Sequence, residues 1–262
     1  MATLAPQRTT PPPNAPVSRS RGGLLRLVGM PAALLAVLAA LYMYIGAQEL
    51  DRIESRSLNA EYLLSRTVQH LTLSAVVVVL ILAVAIPLGI LLTRPAARRF
   101  SGPLLALANI GQATPTIGLI VLFAVVFVDW DVQTIVVVAV WLYGILPVLR
   151  NTMVGLDQVD RSVIESARGM GMTRARALMS VELPLAIPVM LSGIRTALVI
   201  TVGTVALATF IGAGGLGDVI SNGIASSRDT VLLTGSVLVA VLALFIDWLA
   251  GLVEDTLRPR GV

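Results

Sequence analysis

The chain has 262 residues, of which 56% are hydrophobic and 13% charged, with a mean hydropathy of +0.88 and a formal net charge of +4. This is the composition of an integral membrane protein, and the polar gaps between apolar runs are too short to bury a second, soluble core. One histidine, no cysteine and no H-E-x-x-H exclude disulfides, thiolate metal sites and most metal or triad chemistry, so neither a catalytic nor a metal site is assigned.

Residues 1–23, with Pro11, Pro12 and Pro13 and few large apolar side chains, read as a disordered tail. A membrane-crossing helix needs about 20 apolar residues. Six stretches qualify as spans: 27–46, 71–93, 112–128, 132–149, 187–211 and 230–252, the third and fourth being short. The first is longer than the apolar core of a signal peptide, about 7–15 residues, and reads as a retained anchor, with cleavage after Ala47 as the alternative. These spans divide the chain into a tail (1–23), a first helix with its outer loop (24–69), a transmembrane domain (70–253) and a C-terminal tail (254–262).

All nineteen basic residues are arginine. With both ends inside, fourteen lie on the inner side, four (Arg52, Arg56, Arg66 and Arg228) on the outer side, and Arg195 within a span. The positive-inside rule therefore places both termini, and the polar gap from residue 151 to 186, in the cytoplasm. A nucleic-acid partner would call for interleaved basic and aromatic residues on one face, and no such face is present.

The third to fifth spans supply candidate polar lining residues. Gln112, Thr114 and Thr116 lie around Pro115, one of four prolines, with Pro87, Pro147 and Pro188, expected inside spans; broken or kinked helices often border a translocation path, and simple bending for packing is the plainer reading. Gly193, Ala197 and Thr201 follow small-x-x-x-small spacing and predict a close-packing seam, which Thr204 and Ala208 extend. Thr201 and Thr204 are the remaining lining candidates.

The gap at 151–186 carries the most specific pattern. Ser162 and Glu165 form an S-x-x-E capping box, which predicts a helix from about Val163. Gly169 and Gly171 interrupt it, Thr173 caps a second short helix, and Pro184 stops that helix or begins a new one. Ala167, Met170, Met172, Ala175, Ala177, Leu178 and Met179 make an apolar side suited to a groove on a partner. Packing of the same loop against its own membrane helices is the plainer alternative.

Arg195 and Asp247 are charges inside expected spans, at similar inner depth, and an ion pair between them is expected, with snorkelling of Arg195 to the interface as the alternative. His70, near the start of the second span, reads as an interfacial residue. Gly212, Gly214, Gly215 and Gly217 satisfy G-x-G-x-x-G, but a membrane helix precedes them rather than a strand, so they read as a tight turn ending the fifth span, not as a dinucleotide site.

Glu165-Ser166-Ala167, three residues, Gly171, nine residues, then Val181-x-Leu183-Pro184 resembles the "EAA" loop of permease subunits of binding-protein-dependent ABC importers. Ser166 stands for the middle alanine and Val181 for isoleucine. The likeness extends through 70–74, 86–89, 112–115, 143–147 with 150–152, 167–172, and 181–184 with 193–196, and resembles the branch importing glycine betaine, choline, carnitine and proline betaine. It implies an all-α membrane protein of the type I ABC importer permease fold, with a five-helix core plus an N-terminal helix. It also implies that Glu165, Ser166, Ala167, Gly169, Gly171, Met172, Val181, Leu183 and Pro184 dock the loop 162–184 to a separate ATPase, which holds ATP and magnesium; this chain itself would carry no cofactor. The other partners implied are a second permease subunit, a separate extracytoplasmic solute-binding protein on the side of the 212–217 turn, and the lipid bilayer. Two alternatives stand beside this reading: a related importer branch for methionine, sulfonate or nitrate, and a membrane scaffold or enzyme without an ATPase.

Overall fold

Backbone amides in hydrocarbon must be satisfied within the protein, and the described residues do so with helices alone. The structure, a computed structural model, describes residues 20–257, with side chains from residue 27 onward, and contains no strand among them. The helices are α1 (Ser20–Gly46), α2 (Arg52–Ser57), α3 (Ala60–Thr93), α4 (Ser101–Ala113), α5 (Thr116–Val126), α6 (Val132–Asp157), α7 (Arg161–Gly169), α8 (Arg174–Ala177), α9 (Leu183–Val205), α10 (Leu216–Ser226) and α11 (Asp229–Leu257). A π-turn, Leu178–Glu182, joins α8 to α9, and a 3-10 segment, Ala206–Ile211, prolongs α9.

Five helical stretches are long and apolar enough to cross a bilayer, six if the bent pair α4 and α5 counts as one span. That pair corrects the expected third span, 112–128. The chain turns by 97° between α4 and α5, so Pro115 lies in the break and not inside a helix, whereas Pro87, Pro147 and Pro188 are internal to α3, α6 and α9. The residue before a proline is pushed out of the helical region; Thr114 accordingly has ψ 135°, and Pro115, at ψ 120°, leads into the next helix.

Other boundaries shift as well. α3 begins eleven residues before the expected second span, because Asn59 caps it by accepting the N–H of Tyr62. α2 lies in the expected outer loop, closed by a capping box between Asp51 and Glu54. The expected tail 1–23 is already helical from Ser20, and residues 1–19 lie outside the described residues. The expected C-terminal tail is helical to Leu257, with 258–262 outside the described residues.

The core lies among α3, α6 and α9, where Val77, Ile81, Val136, Val140, Val148 and Val205 are fully enclosed. The α6–α9 seam is close: a Cβ added at Gly193 would come within 2.6 Å of both the Pro147 carbonyl oxygen and the Asn151 Cβ. α10 and α11 form a second unit around Leu216, Val219 and Val231. α1 lies along α11 with most of its surface outward.

Candidate functional site

The helix-turn-helix at 160–182 is built by three local devices. Asp160 is the N-cap of α7, accepting the Ser162 N–H at 2.8 Å, and that bond holds its carboxyl below the usual carboxylate range. This corrects the Ser162–Glu165 capping box: Ser162 is already inside the helix, where its N–H is capped from outside. At the other end, Met172 N–H bonds Ala167 O and Gly171 N–H bonds Arg168 O, the paired bonds of a Schellman motif. Gly171 is the left-handed residue of that motif, with φ +89°. Thr173 then caps α8 through the Arg176 N–H.

The π-turn makes α8 and α9 one helical rod, Arg174–Ile211. Pro184 falls in the first turn of α9, directly after the π-turn, so the regular helix begins anew there, the second of the two expected outcomes, without the rod ending. Of the apolar side expected to be exposed, Ala167 and Ala177 are buried within the loop, Met172 is half-buried, and Met170 and Met179 project outward at 74% and 66% exposure. Glu165, Ser166, Gly169 and Gly171 are exposed, while Val181, Leu183 and Pro184 are half-buried at the root of the rod.

The far end of the same rod carries the glycine turn. Gly212, Gly214 and Gly215 all have φ between +78° and +87°, a conformation that L side chains resist. Gly217 lies on the Ala206 carbonyl, so closely that a Cβ would overlap it. The start of α3 grips this turn: Gln69 accepts the Gly215 N–H at 3.0 Å and donates to Ala213 O at 3.2 Å. Arg66 bonds Gln69 and Asp218, both at 3.0 Å, and Thr209 donates to Asp218 at 2.9 Å. His70 is a correction: its ring is wholly buried, with Nε2 2.9 Å from Val202 O, so it is a core residue and not interfacial. No spacing rule points to Gln69, because its partners lie 144 and 146 residues away.

The five lining candidates do not share one surface. Gln112, Thr114 and Thr116 are half-buried at the α4–α5 break. Thr201 and Thr204 are 0% and 7% exposed, enclosed on the inner side of α9, and Thr201 faces Gly144 of α6. The open polar side of α9 is instead that of Ser192 and Thr196.

Arg195 and Asp247 are brought together in a two-pronged contact, Nε to Oδ1 and Nη2 to Oδ2, each 2.5 Å. Glu254, buried and about two helical turns further along α11, approaches Nη1 at 3.7 Å. No group of three or more His, Asp or Glu suited to a metal ion exists among the described residues.

Residues 85–259 match the family described as binding-protein-dependent transport system inner membrane component. The choline transport system permease protein OpuBB of Bacillus subtilis is 39% identical over 204 residues, covering 78% of this chain and 92% of that protein. The osmoprotectant import permease protein OsmY of Salmonella typhimurium is 39% identical over 239 residues, covering 91% and 98%. Among solved structures, the inward-facing MetNI methionine ABC transporter shares the fold, with a TM-score of 0.66 at 24% identity over 75% of this chain and 96% of that one. An all-helical membrane bundle, the type I importer fold and these matches together place the chain in the family of binding-protein-dependent transport system inner membrane components, as a non-enzymatic permease subunit of an ABC importer whose ATPase is a separate polypeptide.

Proposed function

We propose that this permease forms the membrane path for osmoprotectants such as glycine betaine, choline or carnitine, and is driven through the loop 162–184 by a separate ATPase that holds ATP and magnesium. The observation that carries the solute class is the set of relatives at 38–39% identity over about four fifths of the chain, named for choline, carnitine or osmoprotectants. The coupling role is supported by the geometry of the loop: a capped, glycine-terminated helix presents Glu165, Met170 and Gly171 outward, and continues through a π-turn into a membrane-spanning helix. In this reading both termini and the loop are cytoplasmic, in line with the arginine distribution in a bacterial inner membrane.

Two permease subunits, identical or paralogous, enclose the path. A loaded solute-binding protein docks at the side of the glycine turn, and closure of the ATPases on the loops rocks the subunits outward-open. The test is uptake of labelled choline, carnitine, glycine betaine and methionine after a salt upshift, in a strain lacking this gene and in one with it restored. Loss and recovery of a quaternary ammonium solute is the expected result; loss of methionine uptake alone, or no change, overturns the solute assignment.

A further inference from the structure

Glu182 occupies the free position of the Val181-x-Leu183-Pro184 pattern, an acid in an otherwise apolar run at the root of the fifth span. An α-helical step of five residues overshoots one turn by about 140°. The π-turn absorbs this excess, with the Leu183 N–H bonding Leu178 O. Ala177, Glu182, Ala186 and Met190 therefore fall on one buried line running from the loop into α9. The Glu182 side chain is 7% exposed, and its hydrogen-bond partner is Arg94, Nη2 to Oε2 at 2.7 Å.

Arg94 is placed for this by its own surroundings. It precedes Pro95, so its backbone leaves the helix at ψ 144°, and α3 ends at Thr93. Its side chain folds back, and Nε donates to Ile90 O at 3.3 Å. The pair lies above the apolar cluster in which Ile86 and Ile90 of α3 meet Ala186 and Met190 of α9. It also walls a cavity of about 390 Å³ whose other sides include Arg98, Asp157, Ile164 and Glu165, which leaves space between the end of α3 and α7. The neighbouring Arg98–Asp157 contact is exposed and longer, 3.4 Å, and holds little.

We propose that Arg94 and Glu182 are positioning residues for coupling: their ion pair ties the end of α3 to the root of the loop 162–184, so that a displacement of the loop moves α3 together with α9. The inference rests on the coupling role proposed for that loop. A push on α7 and α8 reaches α9 through the continuous rod. α3 has no covalent share in that rod, and it carries the Gln69 clamp on the glycine turn at its other end. The pair thus closes a second route between the two ends of the molecule.

The test uses the whole importer, permease with ATPase and solute-binding protein, in vesicles, and reads ATP hydrolysed per solute imported. Glu182→Gln and Arg94→Met should assemble with the ATPase yet raise that ratio about tenfold, within the usual range of coupling free energies. The charge swap Arg94→Glu with Glu182→Arg should recover most of the coupling. The apolar double variant Arg94→Met with Glu182→Met should be about as stable as the wild type, since it leaves no charge unpaired at the buried Glu182 position, but should remain uncoupled. A wild-type ratio in that double variant, or no recovery in the swap, overturns the proposal while leaving the loop's role standing. Failure of the wild-type permease to hold the ATPase overturns both.

Discussion

Arg195 of α9 and Asp247 of α11 face each other with two parallel hydrogen bonds of 2.5 Å, and the guanidinium lies over Gly251, where a Cβ would come within 3.3 Å of Nη1. Asp247, Gly251 and Glu254 follow one another at helical spacing, so one face of α11 receives the arginine. Removing either partner of this part-buried pair removes two charge-assisted hydrogen bonds at membrane depth, at a cost of about 1.5–3 kcal/mol. Asp247→Asn and Arg195→Gln should each lower the melting temperature of the detergent-solubilised protein by several degrees. The exchange Arg195→Asp with Asp247→Arg should restore part of it.

The α6–α9 seam depends on the missing side chain at Gly193. Overpacking costs about 1–3 kcal/mol where neighbours can shift, and here one neighbour is the backbone carbonyl of Pro147, which cannot. Gly193→Leu should therefore separate α6 from α9 and leave little folded protein on size-exclusion chromatography. Gly203→Ala, with nothing within 4 Å of the added carbon, should elute as the wild type does.

At Gly171 the constraint is conformational rather than spatial. An added Cβ meets nothing within 4 Å, but φ is +89°. A β-branched residue there costs about 1–2 kcal/mol, whereas asparagine visits the left-handed region more readily. Gly171→Val should unravel the end of α7 and weaken copurification with the ATPase, while Gly171→Asn retains most of it. Equal retention by both variants would remove the Schellman geometry from the account.

Asp160 and Ser162 offer opposite expectations for the start of the same helix. Asp160→Ala should abolish amide-exchange protection through the first turn of α7, and Ser162→Ala should leave it, because Asp160 supplies the capping oxygen. The carboxyl's value is lowered from an ordinary 3.8 by the Ser162 N–H. The cap's contribution is accordingly complete above that ordinary value and is lost only as pH falls through the lower, folded one. Protection of this turn should be flat between pH 5 and 8, and a loss within that interval would contradict the assignment.

Much of the bundle is legible along the chain because apolar runs of bilayer length leave few alternatives: residues 27–46 and 230–252 lie inside α1 and α11 almost end to end. The pattern around Gly171 is equally local, since a Schellman turn and the Thr173 cap involve residues within six positions of one another. The α4–α5 break and the early start of α3 are less so. Apolar content registers a span's presence, but its ends are settled by single polar caps such as Asn59 and by the Thr114–Pro115 step.

What the sequence by itself determined was the class of molecule, the order of its spans, the loop at 162–184 and the glycine turn at 212–217, because each follows from composition or from bonds spanning a few residues. The tertiary structure alone decided that Thr201 and Thr204 face a closed seam, that His70 is core, that Gln69 holds a turn 146 residues away, and that Arg94 reaches Glu182 across 88 positions. Those relations depend on how α3, α6 and α9 rotate against one another, which is set by close approaches such as Gly193 on Pro147 and by one π-turn, and neither leaves a periodic signal in the chain.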